Sequence, residues 1–206
     1  MKGCRPLTEQ EIKIACGAFS GRHAVRNRCL FIMGVLCGFR VSEMLVLRIR
    51  DVVAAHRVRT LVTVPRRSMK GKREGRTAYL PPEGQAAVLD QIRSLEFPAP
   101  DDFLFRSQRG KRPISRTQAH RVLVGCFESC GIVEHVATHS MRKTFADRTY
   151  DFFLDLVAQG QPVDAFTETS LALGHKDPAS TRYYLSFCDG YRRAAARNIG
   201  RVIRAA

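Results

Sequence analysis

The segment at residues 28–36, which overlaps the run CLFIMGVLC at 29–37, is apolar on nearly every helical face. A helix of that kind is stable only when other elements surround it, so the chain must build a layered domain with this segment at its centre. It falls well short of the ~18 apolar residues needed to span a bilayer, and no other stretch comes closer. Around it the pattern is helical. Thr8-Glu9-Gln10-Glu11 has capping-box form and predicts a helix over 9–20, and a second begins near Ala24 and ends around Gly38. Ser42 offers an N-cap for a short helix through about Leu47.

From Arg57 the periodicity changes. Val58, Leu61, Val62 and Val64, then Thr77, Ala78, Tyr79 and Leu80, read as strands of a small antiparallel sheet on either side of a basic turn, RRSMKGKREGR at 66–76. Pro81 and Pro82 close the sheet. A helix over 83–94, a loop at 98–102, a short strand at 103–105 and a helix from Ser115 carrying Val122, Leu123 and Phe127 follow. The remainder is mainly helical, so the expected class is mainly α with a small antiparallel β-sheet, in one domain over 1–206.

Charge narrows the partners. Against 19 Asp and Glu stand 34 Lys and Arg, a formal net charge of +15. Lys and Arg that neutralise phosphates release counterions, so a polyanion, and nucleic acid first, is the expected partner. A ribosome-associated protein or a merely basic surface has the same charge signature. The seven cysteines are odd in number and scattered, without a disulfide framework, and read as reduced thiols. No basic-then-apolar leader opens the chain, and the cytoplasm is the expected location, with no membrane partner.

Several polar groups stand in apolar or tightly turned settings. Arg40, in CGFRVSE, follows the buried helix, and burying its guanidinium is costly unless it meets an anion or a carboxylate such as Glu43. His139 and Arg142 lie three residues apart at a helix start, on one face, where free amides and the helix dipole favour phosphate. His175 sits in LGHKDP, where Gly174 can end one helix and Asp177-Pro178 begin the next. Nine residues on is Tyr184, whose phenol attacks only with help from a base or cationic neighbours; Tyr183 and Tyr184 as core aromatics is the plain alternative. Each element alone is ambiguous.

Taken in order, GFRVSE, MKGKREGR, THSMRKTFA, LGHKDPAST and the following Tyr184 resemble the catalytic motifs of the tyrosine recombinase, or phage integrase, family. The resemblance runs over about residues 7–191, and the lead-in PLTEQEI with RHAVRNRCLFIMGVLCGFRVSE is similar to the compact recombinases that invert fimbrial promoter segments. It implies that Arg40 and Arg142 clamp a scissile phosphate, Lys70 protonates the departing 5′-oxygen, His139 transfers a proton to or from the nucleophile, and His175 supports the phosphate. Tyr184 would attack, with Tyr183 as the fallback. Arg66, Arg67, Lys72, Arg73 and Arg76 of the hairpin, with Lys143, Lys176 and Arg182, form the expected DNA-contacting set. No cofactor and no metal are implied. Double-stranded DNA is the implied partner, with a homotetramer on DNA, a monomer in solution, and an accessory DNA-bending protein as a possible addition. A type IB topoisomerase-like enzyme and a non-catalytic DNA-binding module derived from a recombinase are the rival readings.

The pattern departs from the family in places. About ten extra residues separate Arg142 from His175, around 151–161, and Lys143 stands where the family often has His. Lys72 competes with Lys70 as the hairpin lysine. No N-terminal DNA-clamping domain is expected. Cys126, Cys130, His135 and His139 follow a metal-like order, but the four-residue centre is far shorter than the ~12 residues a zinc finger needs. His23, His56, His120 and His135 are expected on the surface or in packing. Over 189–206, Tyr191, Ala195, Ile199, Val202 and Ile203 alternate with arginines near helical spacing, and the resemblance implies a helix that docks into a neighbouring protomer.

Overall fold

The computed structural model describes residues 4–65, 75–108, 110–175 and 177–185. Lys70, with Arg66, Arg67, Lys72, Arg73, Lys176 and the 189–206 segment, lies outside them. The order is α1 (Glu9–Ala18), α2 (Ala24–Cys37), α3 (Val41–Met44), α4 (Ile49–Val52), β1 (Val53–Ala54), β2 (Arg57–Val58), β3 (Leu61–Val64), β4 (Arg76–Tyr79), α5 (Pro82–Arg93), α6 (Arg116–Ser129), α7 (Thr138–Ala158), α8 (Ala165–Ala172), then a 3-10 helix at Pro178–Tyr183. The class is mainly α with small antiparallel sheets. None of the described helices is long and apolar enough to cross a membrane.

As its composition requires, α2 lies at the centre. Cys29 through Met33 and Cys37 are buried, and the Phe31 ring packs 5.7 Å from that of Phe19 and 6.0 Å from that of Phe127. Against its far side lies α7, so close that a Cβ on Gly34 would sit 2.7 Å from the Met141 sulfur. Gly38 ends α2 in the left-handed region at φ +57°, and a Cβ there would run into the Phe145 ring of α7. That glycine meets both a backbone demand and a space demand.

Thr8 caps α1 with the expected reciprocal box, and Ser115 caps α6 in the same way with Gln118. The hairpin pairs Leu61↔Tyr79, Val62↔Ala78, Thr63↔Thr77 and Val64↔Arg76. Its inward face carries Val62, Val64, Ala78 and Arg76, while Leu61 and Tyr79 point to solvent.

Three local expectations change. The short helix after Arg40 begins before Ser42: Arg40 is its N-cap, because the Glu43 carboxylate reaches back to accept from the Arg40 backbone N–H at 2.8 Å. It stops at Met44 rather than Leu47. Phe103 makes only an isolated bridge with Arg48, so no strand forms at 103–105. Residues 151–158 belong to α7, which runs 21 residues, since DFFLDLVA contains nothing that stops a helix before Gln159 and Gly160. Its end projects with Phe152, Leu154 and Val157 exposed.

Candidate active site

Three chain segments converge beside the C-terminus of α2: the Gly38–Glu43 turn, the first turn of α7, and the Leu173–Tyr184 region. The α2 helix stops at Gly38, which turns its last carbonyls toward α7 and β4 rather than along the helix axis. Arg142, one helical turn after His139, is 1% exposed. Its Nη1 donates to the Gly38 carbonyl and its Nη2 to the Leu173 carbonyl at 2.9 Å. Nη2 also lies 2.9 Å from His175 Nε2. A guanidinium has only donors, so Nε2 accepts, and the His175 proton sits on Nδ1, 2.8 Å from the buried Thr181 hydroxyl. The Arg142 Nε, although buried, has no partner among the described residues.

Tyr184 follows the 3-10 helix, whose N-terminus Asp177 caps by accepting from the Ala179 N–H. Its ring is half-buried, 4.9 Å from the Arg142 guanidinium carbon and 5.2 Å between centroids from the His175 ring. Tyr183, by contrast, is 80% exposed. Arg40 pairs with Glu43 at 2.8 Å, the carboxylate that sequence alone offered as its partner. Burial opposes the Arg40 charge, but the Glu43 bond and the Tyr184 phenol outweigh it, and the pKa rises.

Arg76 occupies a different place from the one expected. Instead of facing DNA from the hairpin, it is buried on the inward face of β4, with its side chain 2% exposed. Its Nη1 donates to the Gly38 carbonyl at 3.0 Å and reaches Glu43 at 3.3 Å. Its Nη2 donates to the carbonyls of Cys37 at 2.7 Å and Ala172 at 3.0 Å, and the guanidinium lies over the Phe39 ring. Lys143 is half-buried on α7 and Arg182 is exposed on the 3-10 helix.

The site is electrostatically unbalanced. Arg40, Arg76 and Arg142 gather around one carboxylate, Glu43, leaving an excess of two positive charges. Desolvation, then Arg76 and Arg40, push the Arg142 pKa down to about 9, so it stays charged at neutral pH. Burial raises and its cationic partners lower the Glu43 pKa, and the partners prevail. Beside these groups opens a cavity of about 560 Å³ lined by Arg40, Ser42, His139 and Arg142 and, from α6, by Arg116, Thr117 and His120. Partial desolvation and the neighbouring Arg142, Arg40, Arg116 and Lys143 hold His139 below its ordinary pKa of 6.5, so it is a neutral acceptor at pH 7. His120, expected on the surface or in packing, is exposed and lines this cavity. Its spacing of four from Arg116, just inside a capped helix, was the available sign that both reach one cavity.

A cavity walled by guanidiniums and a neutral imidazole, with a tyrosine ring packed on one of those guanidiniums, suits a protein that handles a phosphate ester. The model of the phage integrase family matches residues 5–188, nearly the whole described chain. Among individual proteins, the probable integrase/recombinase YoeC of Bacillus subtilis (strain 168) is 28% identical over 175 residues, 85% of each chain. The crystal structure of XerA recombinase superposes with a TM-score of 0.70 at 24% identity, over 96% of this chain and 64% of that one. XerH site-specific recombinase, in a post-cleavage complex with palindromic difH substrate, gives 0.69 at 23%, over 95% of this chain and 53% of that one. The protein belongs to the phage integrase family of tyrosine-type site-specific recombinases. It spans less than two thirds of the solved XerA and XerH chains.

Proposed function

We propose that the chain cuts and rejoins DNA strands at specific sites, with Tyr184 as nucleophile. The observation that carries this is the unbalanced charge at Arg142, whose guanidinium lies against the Tyr184 ring with its Nε lacking a partner among the described residues. A phosphodiester carries one negative charge, and the pentacoordinate transition state carries more. Fixed cations in excess of the local carboxylate therefore favour the transition state over the ground state.

In this reading Arg40 and Arg142 hold the non-bridging oxygens and His139 accepts the Tyr184 proton. The phenolate oxygen bonds to phosphorus as the bond to the 5′-oxygen breaks, and Lys70 supplies the proton that oxygen takes up. The products are a 3′-phosphotyrosyl link and a 5′-hydroxyl. Attack by another strand's 5′-hydroxyl reverses the steps and releases the tyrosine. Phosphoester is exchanged for phosphoester throughout, so no nucleotide energy source enters.

Double-stranded DNA is the proposed partner, contacted by the basic hairpin with Lys143, Lys176 and Arg182. Arg116 and His120 extend that surface across the cavity. Recombination joins two duplexes, so we propose a tetramer on DNA assembled from monomers, with residues 189–206 docking on a neighbouring copy. The proposed outcome is integration, excision or inversion, and the likeness of the lead-in to the compact inverting recombinases supports the last.

The test is a denaturing-gel assay for a covalent protein–DNA adduct on nicked duplexes tiled across the DNA flanking the native gene. Adducts with the wild type and with Tyr183→Phe, and none with Tyr184→Phe, are the expected result. DNA binding without an adduct on any duplex, linear or supercoiled, with cell extract present, would instead identify a non-catalytic binder. An adduct that relaxes DNA but never joins two duplexes would identify a topoisomerase-like enzyme.

A further inference from the structure

Strand β4 alternates, and Arg76 falls on its buried side beside Ala78, where an apolar residue of similar volume would pack without a charge to desolvate. Burying a guanidinium is expensive unless its bonds are made, and an apolar replacement is often no less stable. What distinguishes Arg76 is the identity of its acceptors. The Cys37 and Gly38 carbonyls immediately precede Phe39 and Arg40, Glu43 is the ion-pair partner of Arg40, and the Ala172 carbonyl lies three residues before His175. The Gly38 carbonyl also accepts from Arg142. A Cβ on Gly174 would lie 2.9 Å from the Arg76 Cδ, so the residue before His175 is fitted to this side chain.

We infer that Arg76 is a positioning residue: from beneath the site it fixes the Gly38 turn, Glu43 and the end of α8 relative to one another, and thereby sets where Arg40, Arg142 and His175 converge. This rests on the proposed phosphate-clamping role of those three residues. Its planar fork spans acceptors on two separate segments at once, which the single ammonium of lysine does not do.

The test compares wild type, Arg76→Met and Arg76→Lys in the full chain. Single-turnover adduct formation is measured on a duplex with a normal scissile phosphate and on one with a neutral methylphosphonate there. A neutral phosphonate needs no clamp for its charge. Displacing reacting groups by about 1 Å can cost ~100-fold, so Arg76→Met is expected to slow cleavage of the phosphate about 100-fold while DNA affinity changes less than ~3-fold. On the methylphosphonate the deficit should shrink below ~10-fold, and Arg76→Lys should recover only part of the rate.

Cleavage of the phosphate by Arg76→Met within ~3-fold of wild type, or an equal deficit on both substrates, overturns the assignment. Thermal melts identify any variant that fails to fold; if Arg76→Met does, Arg76→Lys carries the comparison. A second readout needs no cleavage: ¹⁵N NMR of the His175 ring reports its Nδ1–H form in the wild type. Loss of that preference in a folded variant supports the inference, and an unchanged tautomer overturns it. Wild-type adduct formation in the same gel judges the cleavage reading separately.

Discussion

Substituting Gly38 by alanine tests how the end of α2 serves both fold and site. At φ +57° an L-residue pays about 1–2 kcal/mol for the left-handed conformation. The new Cβ also runs into the Phe145 ring of α7, which packs against the cluster of Ala146, Leu173 and Leu185, and overpacking of that kind costs about 1–3 kcal/mol. Together the loss is about 2–5 kcal/mol, measurable as a lower midpoint in urea at unchanged slope. Against a typical stability of ~5–15 kcal/mol, a folded fraction remains across that whole range. Cleavage by that folded fraction then reports on the Gly38 carbonyl, which accepts from both Arg76 and Arg142. We expect cleavage to fall well beyond the unfolded fraction. Gly17→Ala is the control of opposite sign: it sits inside α1 with nothing within 4 Å of its added Cβ, and should stabilise by up to about 1 kcal/mol. A loss below ~1 kcal/mol for Gly38→Ala, or a variant as active as the control, would refute the reasoning.

Two further predictions concern pH. His139 has a folded pKa below 6.5, so it remains a proton acceptor into mildly acid solution. The acid limb of the cleavage pH–rate profile should lie below 6.5 and flatten in His139→Gln, whereas an unchanged limb in that variant would assign it to another group. Glu11 is held down to about 2 by its two-pronged bond to Arg5, opposed by partial burial and aided by Thr8. The unfolded carboxyl, near 4.5, binds its proton first on acidification. Its stabilising contribution is thus complete above pH 4.5 and is lost as pH falls toward 2, and urea midpoints should be less pH-dependent there in Glu11→Gln.

How far the site was legible in the sequence differs residue by residue, for physical reasons. The apolar run 28–36 fixes α2 at the centre because no exposed helix tolerates such a surface, and the capping pairs Thr8–Glu11 and Ser115–Gln118 fix two helix starts because each satisfies free amides locally. The start after Arg40 was misplaced to Ser42 because its cap is made in reverse, by the Glu43 side chain on the Arg40 amide, and a serine at the right spacing drew the assignment. Arg76 was grouped with a basic hairpin by composition, yet its position already told against that. It has the same strand parity as Ala78 and Leu80, so if Ala78 is inward Arg76 must be inward as well. Parity is a geometric constraint, and charge is only a preference. When the two conflict within a strand, the chain has accepted a desolvation cost, and the groups that repay it lie across the fold at Cys37, Gly38, Glu43 and Ala172. Such partners are invisible to local pattern because they are 33 to 96 residues distant in sequence. The buried basic residue on an otherwise apolar strand face was therefore the readable sign of an internal anion or carbonyl cluster, although its location awaited the fold.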